Sequence, residues 1–270
     1  MALLTCTYYS ESLLGMTKIH VYIPTPGGKE WALGTAKDHP FFAGKKFPVL
    51  YLLHGMGEDA STILRKTRIE SYAKDAQIAV VMPEGENSFY TDPAYGRRYE
   101  SYIAKELPLF IQDSFPVSDK REETYIGGFS MGGFGALRLG LKYAETFAKI
   151  LAFSGPYDVT EFPLHVFEGE EGTRAMHWEA LAGEDFSAIP GSDLDPYVHA
   201  NALAYSERVR PEIFLSCGTE DPLYPAHVKT QEVLSSLGIA YTAQEAAGGH
   251  DYDYWDPALL SAVSWLTEVQ

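Results

Sequence analysis

The sequence has 270 residues, 46% of them hydrophobic and 21% charged, which is enough for one α/β domain to bury a sizeable core. Its formal net charge of −16 lacks the basic footprint that nucleic acids and anionic membranes require, and it favours neutral or cationic small molecules over polyanions. The chain does not open on a basic segment followed by an apolar core, and no apolar stretch could span a membrane, so the expectation is a cytoplasmic protein with Cys6 and Cys217 as buried, reduced thiols.

Period-two alternation over residues 3–9 and 17–23 predicts a hairpin, closed by Pro24, Pro26, Gly27 and Gly28. A polar stretch over 29–46 leads to the nearly continuous apolar run 47–53, of the kind buried on both faces of a parallel sheet, and the run ends in His54-Gly55-Met56-Gly57. A helix is expected over about 60–76, a strand over 78–82, and a turn-rich loop over 86–92. On the helix expected over 99–114, Ile103, Leu107, Phe110 and Ile111 make one apolar face, and Pro108 should kink it.

The stretch 124–141, TYIGGFSMGGFGALRLGL, reads as strand, sharp elbow and helix. A G-x-S-x-G match alone describes many glycine-rich turns, but a strand before it and a helix after it are the context of a nucleophile elbow. Cβ atoms at Gly128 or Gly132 would collide with the neighbouring strand or helix, and Ser130 would stand at a helix N-terminus that favours developing negative charge. Another buried strand follows over 150–155. The weakly periodic segment of about 157–210 reads as a cap-like insertion, with a short helix near 177–181 and a helix start at Asp195-Pro196. A strand over 212–218, a helix over about 226–237, a strand over 241–246, the loop Gly248-Gly249-His250-Asp251 and a helix over 257–269 complete a single domain, 1–270. Strands alternating with helices predict a mostly parallel central sheet with helices on both faces.

Such sheets collect their ligands at the carboxyl ends of the strands. Those ends carry Ser130, then Asp221 in Thr219-Glu220-Asp221-Pro222, then His250, which is the chain order of the α/β-hydrolase triad. A serine hydroxyl needs a base during attack, an imidazole can accept that proton and return it to the leaving group, and a carboxylate behind the ring fixes its tautomer. Asp158, after the preceding strand, is a rival for the acid. The amides of Met131 and Met56 are candidates for the oxyanion hole, and His54 would hold the turn that presents Met56. Met56, Phe89, Tyr90, Met131 and Trp178 are expected to bound the acyl pocket, with His54 and Gly55 beside it. His20, His39, His165, His177, His199 and His227 read as surface or structural. No His/Cys cluster has ligand spacing, Asp193-x-Asp195 and Asp251-x-Asp253 read as solvated loops, and no glycine loop would cradle a phosphate, so neither metal nor cofactor is expected.

At these residues the chain resembles the esterase D family of α/β-hydrolases. VLYLLHGMGED, MPEGENSFYTD, GGFSMGGFGALRLGL, LSCGTEDPLY and GGHDYDYWD stand in the family's order, and the opening CTYYSESLLGMTKIHVYIP is similar to bacterial tributyrin esterases in particular. The resemblance implies an α/β-hydrolase fold with an N-terminal antiparallel hairpin and a Ser130, Asp221 and His250 triad. It further implies Met56 and Met131 as oxyanion donors, and short-chain acyl esters as substrates. The loop after Gly55 lacks the cysteine associated with S-formylglutathione hydrolases, which places that activity, with acetyl and feruloyl esterase activity, among the alternatives. A binding module on a hydrolase scaffold is the alternative outside enzymes. The expected partner is a small-molecule ester, with no nucleic acid and no membrane; a homo-oligomer is compatible with the sequence.

Overall fold

The computed structural model describes residues 1–93, 95–160 and 188–268. Its strands are β1 (Ala2–Ser10), β2 (Gly15–Ile23), β3 (Val49–Leu53), β4 (Ala79–Pro83), β5 (Thr124–Phe129), β6 (Lys149–Phe153), β7 (Glu212–Gly218) and β8 (Thr242–Ala246). They form one sheet in the order β1-β2-β4-β3-β5-β6-β7-β8. β1 and β2 pair antiparallel, as do β2 and β4; every other pairing is parallel. This is the mostly parallel α/β-hydrolase sheet with its antiparallel N-terminal hairpin. Among the described residues no helix is long and apolar enough to cross a membrane.

Alternation along the buried strands divides the core in two. From β3, Val49, Tyr51 and Leu53 join one cluster with Phe134, Leu137 and Leu141, while Leu50 and Leu52 join the other with Ile69, Leu259 and Val263. Helices therefore cover both faces, and the apolar runs are continuous because each face needs its own set of side chains. β4 lies on one side of β3 and β5 on the other, so the chain reverses its direction of travel at β3. A crevice opens there at the carboxyl ends of β3 and β5.

Two of the expected helices depart from their expected bounds. The helix expected over 60–76 is two, Thr62–Lys66 and Ile69–Ala76. The break falls where the Arg68 amide donates to Asp256 Oδ1 at 2.8 Å, a bond to a residue 188 positions away that local pattern cannot contain. The last helix starts at Tyr252 rather than Pro257, because Asp251 caps it by accepting from the Asp253 and Tyr254 amides. The segment 99–114 is helical throughout, and Pro108 follows a π-helical turn, Tyr102–Glu106, which absorbs the missing donor in a widened turn. At the predicted start Asp195-Pro196, Asp195 accepts from the Tyr197 amide at 2.9 Å. The helix expected near 177–181 and residues 161–187 of the insertion expected over 157–210 lie outside the described residues.

The elbow helix, Met131–Lys142, is anchored by Arg138, a fully buried cation. Its guanidinium donates to Glu100 Oε2 at 2.5 Å, to the Tyr90 carbonyl at 3.1 Å and to the Asp193 carbonyl at 3.0 Å. Burial alone would raise the pKa of Glu100, but Arg138, Lys142 and Tyr143 outweigh it and hold the group at about 2, against an ordinary 4.5. A carboxyl whose pKa is depressed on folding contributes stability above its unfolded pKa and loses it as pH falls toward the folded value. Urea unfolding of the wild type is therefore expected to show stability falling between about pH 4.5 and 2. Glu100→Gln should flatten that part of the curve, and an unchanged slope in the variant would assign the acid sensitivity elsewhere.

Candidate active site

The elbow is built from backbone crowding. Gly132 packs on the Leu53 carbonyl at the end of β3, and Gly128 packs on Gly132, so a Cβ at either position would overlap backbone atoms. Between them Ser130 takes φ 53° and ψ −116°, a strained conformation for a residue with a side chain. Its amide donates to the Phe153 carbonyl on β6 at 2.9 Å, and its carbonyl accepts from Phe134 at 3.0 Å, so both neighbours hold the strain in place.

The His250 and Asp221 loops are sewn together by backbone. The Thr219 amide donates to Ala246 at 2.9 Å and the Glu220 amide to Gly248 at 3.0 Å, across a contact with Gly218 that leaves no room for a Cβ. As a result His250 Nδ1 lies 2.9 and 3.0 Å from the two Asp221 carboxylate oxygens, and Nε2 lies 2.8 Å from Ser130 Oγ. An ionised carboxylate only accepts, which puts the ring proton on Nδ1 and leaves Nε2 to accept from the serine hydroxyl. Burial would raise the Asp221 pKa, but His250 and the Leu223 amide, 2.8 Å from Oδ1, hold it below the usual carboxylate value. Trp255 stands edge-on to the imidazole, with ring centroids 4.9 Å apart. Asp158, the rival acid, is buried elsewhere: it accepts from the Thr160 amide at 3.1 Å and hydroxyl at 2.6 Å and pairs with Lys229.

On the other side of Ser130, His54 Nε2 accepts from the Gly85 amide at 2.9 Å, so its Nδ1 proton goes to the Gly55 carbonyl at 2.7 Å. A trans peptide points its N–H opposite to its C=O, so holding the Gly55 carbonyl against the His54 ring aims the Met56 amide the other way. Among the described residues neither that amide nor that of Met131, first in the elbow helix, has a hydrogen-bond acceptor. Gly55, Met56, Glu58, Ser130, His250 and Tyr252 line a cleft of about 690 Å³.

Phe89 and Tyr90 are fully buried, and neither is among the described lining residues. Tyr90 serves the loop from beneath, its hydroxyl donating to the His54 carbonyl at 2.9 Å. Trp178 lies outside the described residues. Cys217 is a buried thiol, its pKa pushed up by burial to about 12, whereas Cys6 is half-buried rather than buried. Asp251 is a helix cap and not simply a solvated loop residue. Ser154, at φ 47°, was not anticipated; it accepts from Trp255 Nε1 at 3.0 Å behind the triad. Glu58 was also missed, although a carboxylate three residues past the strand-end glycine was a signal available in the sequence.

A family model described as "Putative esterase" matches residues 37–266. An acetyl esterase of Caldicellulosiruptor saccharolyticus is 30% identical over 270 residues, covering 100% of this chain and 99% of that protein. Among solved structures, the fluorophosphonate-binding serine hydrolase FphF of Staphylococcus aureus superimposes with a TM-score of 0.87 at 29% identity, covering 99% of each chain. The S-formylglutathione hydrolase FrmB of the same organism gives 0.83 at 28% identity, again over 99% of each chain.

Proposed function

The chain belongs to the Esterase family, which makes it a carboxylic-ester hydrolase, and on that premise we propose that Ser130, His250 and Asp221 are its catalytic triad and short-chain acyl esters its substrates. The observation that carries this reading is the unbroken relay from Ser130 Oγ to His250 at 2.8 Å and from His250 to Asp221 at 2.9 Å. In it Ser130 Oγ attacks the ester carbonyl while His250 Nε2 takes the hydroxyl proton, and Asp221 stabilises the imidazolium. The Met56 and Met131 amides, without acceptors among the described residues, receive the tetrahedral oxyanion. Collapse returns the proton to the departing alcohol and leaves an acyl-enzyme, which water, activated by the same imidazole, hydrolyses. The setting we propose is cytoplasmic, where Cys6 and Cys217 stay free thiols.

Likeness over its full length to an acetyl esterase favours a small acyl group, and tributyrin-type esters extend the same class. Against a panel of p-nitrophenyl esters of increasing acyl length, kcat/KM is expected to be highest from acetate to butyrate. It should then fall gradually, because apolar walls discriminate by only about 1–3 kcal/mol per methylene. Methyl ferulate, acetylated oligosaccharide and S-formylglutathione belong in the same panel. A preference for any of them over the short p-nitrophenyl esters and tributyrin would move the assignment to that substrate.

A further inference from the structure

Glu58 is half-buried in the wall of the cleft, and a single oxygen of its carboxylate serves both sides of Ser130. Oε2 accepts from the Gly55 amide at 2.8 Å and from the Tyr252 hydroxyl at 2.9 Å. Gly55 forms with Met56 the peptide whose N–H is left without an acceptor among the described residues. Tyr252 lies two residues beyond His250, and its ring packs on Phe129 at 5.6 Å and on Trp255 at 4.9 Å, the ring that abuts His250. A Cβ at position 55 would come within 3.2 Å of Oε2, so the glycine leaves room for the carboxylate to reach the backbone. We propose that Glu58 is a positioning residue that ties the Gly55-Met56 oxyanion turn to the segment carrying His250, setting both relative to Ser130.

This assignment rests on the esterase reading above, and it differs from a structural role in where the loss should appear. His54 fixes the Gly55 carbonyl, and Glu58 fixes the amide at the other end of the same residue. Without Glu58 the turn keeps its place in the fold but can rotate, and the cost of the misaimed Met56 donor is felt mainly when charge develops on the carbonyl oxygen. A carboxylate in this cleft is in itself unfavourable to a developing oxyanion. Glutamine keeps the acceptor and removes the charge, and so separates position from electrostatics.

The test is steady-state hydrolysis of p-nitrophenyl acetate by the full chain, with inhibition by a trifluoromethyl ketone whose adduct carries the oxyanion. Glu58→Ala is expected to lower kcat by about 10–100-fold with KM within threefold of wild type, since small misplacements of catalytic groups carry costs of that order. The ketone's inhibition constant should rise in parallel. Tyr252→Phe removes one of the two bonds and should cost about 3–10-fold, with the double variant no slower than Glu58→Ala alone. Glu58→Gln should recover most of the rate. A loss below threefold in both Glu58→Ala and Tyr252→Phe would overturn the assignment, as would a loss expressed wholly in KM or a glutamine variant as impaired as the alanine one. If the esterase reading itself were wrong, the wild type would neither hydrolyse the ester nor be labelled at Ser130 by a fluorophosphonate, a result distinct from all of these.

Discussion

Ser130→Ala protein is expected to fold normally and to hydrolyse p-nitrophenyl esters roughly 10⁴-fold or more slowly than wild type. Folding should survive because, among the described residues, the Ser130 side chain bonds only to His250, while the elbow is held by backbone bonds to Phe153 and Phe134. Alanine inherits the φ of 53° already accepted by serine, so the strain is unchanged. Activity should not survive, because the covalent route needs an oxygen nucleophile at that point. His250→Ala should reach a similar floor, and the double variant should be little worse than either single one, since the relay acts as a unit. Whatever rate remains above that of water belongs to the oxyanion amides and to binding. Loss of fluorophosphonate labelling in Ser130→Ala, with the melting temperature kept within a few degrees, completes the expected result. Near-normal hydrolysis by this variant would end the assignment of Ser130 as nucleophile.

The elbow was legible in the sequence because its requirements are local. Gly128 and Gly132 are needed where backbone meets backbone, and the change from strand to helix periodicity around them is visible within eighteen residues. The strands bounding the site were legible for a related reason: β3, β5, β6 and β7 are buried on both faces, which leaves long apolar runs in the sequence. What escaped was set by partners distant in sequence. The break at Thr67-Arg68 depends on Asp256 from the last helix, and the start of that helix was hidden because Pro257 looks like a first residue while Asp251 looks like loop. The buried Arg138 with Glu100 stands in the same class, since an arginine within an apolar helix announces a partner without naming it. Phe89 and Tyr90, expected to bound the acyl pocket, are fully buried, and the Tyr90 hydroxyl holds the His54 carbonyl from beneath.

The choice between the two acids gives the second large effect. Asp221→Asn should lower kcat by about 10³–10⁴-fold, whereas Asp158→Asn should leave it within about threefold of wild type. An asparagine at 221 can present its amide NH₂ to the ring, which favours the tautomer protonated on Nε2 and removes the acceptor that Ser130 needs. If its oxygen faces the ring instead, the tautomer is kept but the charge that stabilises the imidazolium is lost. Asp158 has no such route to the ring, being occupied by Thr160 and Lys229. Its substitution should therefore register in stability, through a weakened contact with Lys229, and not in the rate of acyl transfer. Asp158 was a credible rival because it too follows the end of a buried strand, and only the meeting of the β7 and β8 loops at Gly218 and Gly248 brings Asp221 rather than Asp158 against the imidazole. Steady-state kinetics of the two asparagine variants, measured beside their urea unfolding curves, separates these effects, and a larger rate loss in Asp158→Asn would reverse the assignment.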